Sequence, residues 1–228
     1  GLLIGWSPFV GLALTGAVLV GSIGLLWPQG LLYASIGTMV IGQVVRLPIF
    51  GEDSALLLND LIIPFLAVLW IVRGILKKSI QLPKMSLWLP LGGVVLTMFV
   101  SGLRNYSSYD PQEWLAGILY LVRWIEYALL LFIVYDLSRT HEQQRRIVVV
   151  TLGSATAVAI LGFLQLKIFP DFTFMVPQGW DPHIGRLLST WFDPNFLGGW
   201  LAMFAGIALA FALLRPSRNF GWWAIFII

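Results

Sequence analysis

GRLLSTWFDPNFLGGWLAM, residues 185–203, decides how the chain is read, because a polar segment from Arg186 to Asn195 runs directly into an apolar helix of membrane length. Asp193 fits the N-cap of that helix and Pro194 its first position, where the missing N–H costs nothing. Apolar residues then continue to Leu214, close to the roughly 20 residues that a hydrocarbon core requires. Charge and broken backbone beside a bilayer are costly, so the same junction is the first place to look for a site.

The rest of the chain repeats the pattern. Hydrophobic residues make up 58% of the 228 and charged residues 11%, with a mean hydropathy of +0.86. Burying so many apolar runs in a water-soluble core is beyond a chain of this length, and a β-barrel shows alternation in place of continuous apolar blocks. The expectation is an all-α polytopic transmembrane bundle of about seven to eight spans, forming a single domain over residues 1–228. Spans are expected at Phe9–Trp27, Leu31–Val45, Ser54–Val72, Leu87–Leu103, Trp114–Tyr135, Ile147–Ile168 and Pro194–Leu214. The second is short, and tilting, re-entry or indistinct glycine-rich ends would each account for it. Residues 1–6 and 221–228 read as pieces of further spans, so the chain is taken as a fragment truncated at both ends, with a cleaved signal peptide as another account of its start.

Basic residues in short loops set the orientation. Arg73, Lys77, Lys78 and Lys84 share one loop, Arg139, Arg145 and Arg146 a second, and Arg215 and Arg218 a third. These loops alternate correctly with the spans and hold nine of the 14 basic residues, which makes them cytoplasmic. The opposite side carries Arg46, Glu52, Asp53, Arg104, Asp110, Glu113, Asp171, Asp181, Arg186 and Asp193. Trp27, Trp88, Trp114, Trp180, Trp191 and Trp200 fall near span ends, where indoles serve as interface anchors.

Several chemistries are excluded at once. With no cysteine there is no disulfide, thiolate ligand or cysteine nucleophile. Two histidines, His141 and His183, lie on opposite sides of the expected topology and make a histidine-based zinc site a poor reading. No Walker A pattern is present, so ATP hydrolysis within the chain drives nothing.

Four constellations carry possible chemistry. Arg123 and Glu126, spaced i to i+3 near the outer end of their helix, share one face and form an intramembrane ion pair, either as a structural clamp or as part of a substrate path. Asn59 and Asp60 open the third span, where either caps helix N–H groups or Asp60 faces a polar cavity. His183, in WDPHIGR, is a solvated loop imidazole or a base titrating near neutral pH. In the opening segment, Asp193, Pro194 and Asn195 are helix-start chemistry, while Arg186 either snorkels at the interface or holds an anionic group beside the helix N-terminus.

The string RLLSTWFDPNFLGGWL, Arg186 to Leu201, resembles the motif of the O-antigen ligase and polymerase-like family of bacterial membrane glycosyltransferases. In that family an Arg precedes a Gly/Thr-Phe-x-(Asn/Asp)-Pro-Asn pattern that opens a transmembrane helix. LLLNDLIIPFLAVLWIVR (56–73) and YLVRWIEYALLLFIVYDL (120–137) fit the same style. This chain has Thr190-Trp191 where a Gly-Thr pair is common.

The resemblance implies a multi-pass protein of the bacterial cytoplasmic (inner) membrane that moves a glycan from an undecaprenyl-diphosphate carrier to an acceptor hydroxyl on the extracytoplasmic face. Polysaccharide polymerases and protein O-oligosaccharyltransferases share the pattern. It implies an enzyme needing no metal and no cofactor, whose partners are the lipid-linked glycan donor, a lipid or protein acceptor and membrane lipids, with no nucleic acid. Arg186 is the expected catalytic cation, with Asp193, Asn195 and His183 as substrate-binding candidates. The general base is expected in a large loop beyond residue 228. A polytopic transporter, with Arg123, Glu126 and Arg186 along its path, is the non-enzyme alternative.

Overall fold

A computed structural model of the chain describes residues 21–22, 24–48, 55–83, 86–178 and 180–214. Six α-helices dominate these residues: α1 (Pro28–Gly37), α2 (Asn59–Lys77), α3 (Trp88–Arg104), α4 (Pro111–Leu137), α5 (His141–Ile168) and α6 (Pro194–Leu214). Short 3-10 turns occupy Thr38–Val40, Tyr106–Ser108 and Thr173–Gln178. Between α1 and α2, β1 (Arg46–Pro48) pairs antiparallel with β2 (Ala55–Leu57), Arg46 opposite Leu57.

Helices α2, α4, α5 and α6 are long and apolar enough to cross a membrane, and α3 is an apolar helix of 17 residues. The helical membrane class therefore stands. Pro194–Leu214 is the span expected from the sequence, and α5 extends Ile147–Ile168 back to His141, where the Thr140 hydroxyl and Gln143 form a reciprocal capping box.

Two expected spans change. The helix read as Ser54–Val72 starts at Asn59, because the Asp60 carboxylate turns back to accept the Leu57 N–H at 2.7 Å. The stretch read as Leu31–Val45 is no membrane-length helix: α1 ends at Gly37, a 3-10 turn follows, and Gly42 adopts φ +55. The expected span Phe9–Trp27 lies outside the described residues except for helical residues 21–22 and 24–26, as do the terminal pieces 1–6 and 221–228.

The bundle is apolar outside and partly polar inside. Leu89 and Phe163 are 85% and 67% exposed, and α3 buries none of its residues, faces suited to acyl chains. Asn59, Asp60, Asp136, Ser154 and Thr156 are buried. One apolar core joins Leu31 and Leu32 of α1, Leu66, Leu69 and Trp70 of α2, and Phe132, Ile133 and Leu137 of α4. A second joins Leu152 and Ala155 of α5 to Phe204 and Ala208 of α6. Trp27, Trp88 and Trp114 sit at or near helix ends, Trp88 stacking on Phe132 at 4.3 Å and the Trp114 indole donating to Gly102 O at 2.9 Å, while Trp180 and Trp191 lie in the α5–α6 loop and Trp200 inside α6.

At the end of the bundle bearing the basic loops, Asp136 acts as a knot. Its carboxylate accepts the Trp70 indole N–H at 2.8 Å and the Gln81 N–H at 2.9 Å, and pairs with Arg139, whose guanidinium also reaches Ser79 O. This ties the α2–α3 loop to α4. Asp136→Ala strands the buried indole N–H and the Gln81 N–H at about 1–3 kcal/mol each. The melting temperature of the purified protein in detergent is expected to fall by several degrees; an unchanged melting curve would count against the knot.

Candidate functional site

The end opposite the basic loops holds two irregular segments that meet. The first runs from Thr38 through β1 and β2 to the start of α2; the second runs from Phe169 to Asp193 between α5 and α6. Main-chain contact joins them, since Gln43 N–H donates to Thr190 O at 2.8 Å. Gly42 is needed at this approach: its φ is +55, and a Cβ there would stand 2.5 Å from Thr190 O.

The second segment folds as a short ladder before it turns. Phe172 N–H donates to His183 O at 2.9 Å, Gly185 N–H to Pro170 O at 2.7 Å, and Asp171 forms an antiparallel bridge with Ile184. The Thr173 hydroxyl and N–H hold the exposed Asp171 carboxylate below its ordinary pKa. Phe172, Phe192 and Trp180 cluster above, with Trp180 edge-on to Phe192 at 5.1 Å and the Arg46 guanidinium 4.9 Å over the indole. A cation on an indole face links β1 to this loop.

Beyond Gly185 the chain is clamped along α5 by one side chain. Gln165 Oε1 accepts the N–H groups of Leu188 (2.8 Å) and Ser189 (3.2 Å), and its amide donates to Phe169 O at 3.0 Å and Arg186 O at 3.5 Å. Ser189, 4% exposed, donates its hydroxyl to Val158 O at 2.7 Å, and Leu188 is buried beside it. Ser189 (φ +52) and Phe192 (φ +57) are non-glycine residues in the left-handed region. Such conformations cost of order 1–3 kcal/mol each and persist only where the surroundings fix them, as these bonds do for Ser189.

The sequence-derived candidates fall as follows. The Arg186 backbone is held by Gln165, and its side chain is exposed with no hydrogen bond or ion pair among the described residues. Asp193 caps α6 as read, its Oδ1 accepting Asn195 N–H at 2.8 Å and Phe196 N–H at 3.0 Å. Asn195 is exposed on the first turn. His183 is half-buried and engages the ladder through its carbonyl. Among the described residues no group of His, Asp and Glu is placed to hold a metal.

Arg123 has a partner that the sequence reading did not name. Its Nε and Nη2 donate to Asp60 Oδ1 and Oδ2 at 2.7 and 2.6 Å, a bidentate grip across α4 and α2 on a carboxylate that is 9% exposed. Glu126 follows Arg123 three residues on along the same helix. The pair does not lie near the helix end: Arg123 lies twelve residues past Pro111, about 18 Å along α4. Asn59 joins the cluster through Thr38, and the Arg123 guanidinium lies 5.2 Å from the Tyr120 ring centre.

The contributors missed by sequence reading are Gly42, Gln165 and the Arg46–Trp180 contact. Gly42 in TMVIGQVVR marks a break that was visible; a lone Gln165 near a span end carries no such signal. Comparison with family models, curated proteins and solved structures gives no significant match.

Gly42→Ala should destabilise the loop junction by about 1–2 kcal/mol from the left-handed backbone alone, and by more from the overlap with Thr190. Limited proteolysis between α5 and α6 should speed up severalfold, and unchanged cleavage would contradict the contact.

Proposed function

We propose that this chain forms part of a bacterial inner-membrane glycosyltransferase of the O-antigen ligase-like kind, with seven to eight spans within these residues. It transfers a glycan from an undecaprenyl-diphosphate carrier to an acceptor hydroxyl at the extracytoplasmic face. One observation carries the reading: the Arg186 guanidinium is exposed without a partner among the described residues, while its backbone is immobilised by Gln165 immediately ahead of the capped start of α6. The sequence resemblance around Arg186–Leu201 supplies the reaction class.

In that reaction the acceptor oxygen attacks the anomeric carbon, the bond from that carbon to the diphosphate oxygen breaks, and the acceptor proton passes to a base. The diphosphate leaves with its negative charge. A fixed guanidinium presents paired donors to phosphate oxygens and keeps its own charge at any physiological pH, so Arg186 stabilises the leaving group as charge develops. Arg46, held over Trp180 on the adjoining hairpin, adds positive potential to the same face. Asp193 contributes by fixing the helix start, and Asn195 and His183 line the approach. The base is assigned to none of these residues.

The test uses the full-length protein in a strain lacking its own copy. Arg186→Ala should abolish glycan attachment at unchanged membrane abundance, whereas Arg186→Lys, which keeps the charge but loses the planar fork, should retain part of it. Normal surface glycan in the alanine variant would rule the assignment out.

A further inference from the structure

We propose, independently of the reaction above, that the segment between α5 and α6 is seated in the lipid boundary opposite the basic loops, with Phe169, Phe174, Val176 and Ile184 dipping among the acyl chains. The partner is the bilayer itself at the level of its headgroups, engaged by a loop and not by a span.

Helix α5 leads into this surface. Ile160, Phe163, Leu164 and Ile168 are all exposed, and their spacing of three to four residues sets them along one face. On a helix long and apolar enough to cross a membrane, an exposed apolar face is turned to lipid. Phe169 is exposed as well, and its N–H still bonds to Gln165 O at 2.7 Å, so the lipid-facing stripe runs past the end of the helix.

The same helix gives the height. Arg145 and Arg146 mark its charged end, and the apolar stretch starts at Ile147. Ile168 lies twenty-one residues beyond, about 32 Å along the axis, against a hydrocarbon core about 30 Å thick. The exposed Lys167 beside it is long enough to lift its ammonium into the headgroups. The segment that follows therefore starts at the edge of the core, where backbone outside a helix finds water for its polar groups.

Its side chains are poorly suited to water alone. From Pro170 to Gln178 the only charge is Asp171. Phe174 and Val176 are exposed, and Ile184 is 69% exposed. The bridge between Asp171 and Ile184 shows how the loop is divided: residues opposite each other project to one side, and Phe172, next along the strand, projects to the other. Phe172 is buried with its ring 5.9 Å from that of Phe192, so its side faces the protein and Ile184 faces outward. Asp171 shares the outer side, and its carboxylate, accepting the Thr173 N–H at 2.8 Å, belongs with Lys167 at headgroup level. Continuity with the lipid-facing stripe of α5 identifies the occupant. An apolar patch joined to acyl-facing side chains at the edge of the core is covered by the same lipid, as in helices that lie in the interface. Anchored in this way, the loop keeps Arg186, whose carbonyl oxygen Gln165 holds eighteen residues past Ile147 or about 27 Å along α5, within a side chain's reach of the lipid phosphates.

The absence of cysteine allows a direct test in the full chain. Val176→Cys and Ile184→Cys, introduced singly, are nitroxide-labelled in phosphatidylglycerol nanodiscs. Collision with oxygen, which concentrates in hydrocarbon, is compared with collision with a water-soluble nickel chelate. Phe163→Cys on the lipid face of α5 gives the hydrocarbon reference, and His141→Cys, six residues ahead of Ile147, the aqueous one. Both loop labels should show an oxygen-to-nickel ratio severalfold above that of His141→Cys and approaching that of Phe163→Cys. A ratio equal to that of His141→Cys at either position would put the loop in water, and slow collision with both reagents would mean that protein covers it; each result overturns the proposal. A variant that does not elute as folded protein is replaced by Phe174→Cys, judged by the same ratio.

Discussion

A buried carboxylate with a distant arginine fixes the rest of this molecule. Asp60 is 9% exposed, and an ion of that kind costs several kcal/mol to desolvate unless its charge and lone pairs are met. Arg123 meets two of them in a bidentate grip and the Leu57 N–H another. Because Arg123 lies near the middle of α4, the bond pins the beginning of α2 well inside the bundle. The part of α4 beyond Arg123 extends past the start of α2.

Asp136 applies the same rule at the other end, again on α4, with Trp70 and Gln81 as donors and Arg139 as the cation. Two anchored carboxylates about 20 Å apart along the helices fix the register of α2 on α4. Leucine, isoleucine and phenylalanine fill the space between them, as the core of Leu66, Leu69, Phe132 and Ile133 shows. Apolar contacts of this kind supply packing in a membrane but little directional information, since the surrounding acyl chains are equally apolar. Direction comes from the polar bonds.

Local signals were legible in the sequence. Asp-Pro-Asn gave the start of α6 and its cap to the residue, whereas the Thr140–Gln143 capping box that starts α5 at His141 went unread and the span was begun at Ile147. Long-range pairing was not. Glu126 is three residues from Arg123 and therefore visible to helical periodicity, whereas Asp60 is 63 residues away and no spacing rule reaches it. The stretch 31–45 looked like a span because apolar composition does not report backbone direction; the helix ends at Gly37, and Gly42 at φ +55 then turns the chain against Thr190. Arg186 was identifiable as a charge beside a helix start, but its support by Gln165 depends on a lone amide on the preceding helix. The proposed chemistry depends on this same junction, where strain at Ser189 and Phe192 is held by hydrogen bonds to α5 and by the aromatic cluster.

The central claim, that the Asp60–Arg123 bond sets the depth at which α2 begins, is tested most directly by a double-mutant cycle on unfolding in detergent with Asp60→Asn, Arg123→Gln and the pair together. The bond as described predicts a coupling of about 2–3 kcal/mol, each single variant leaving an uncompensated buried charge that the double variant relieves. Additive effects, with a coupling below about 0.5 kcal/mol, would mean that the two residues do not depend on each other and that something else places the start of α2.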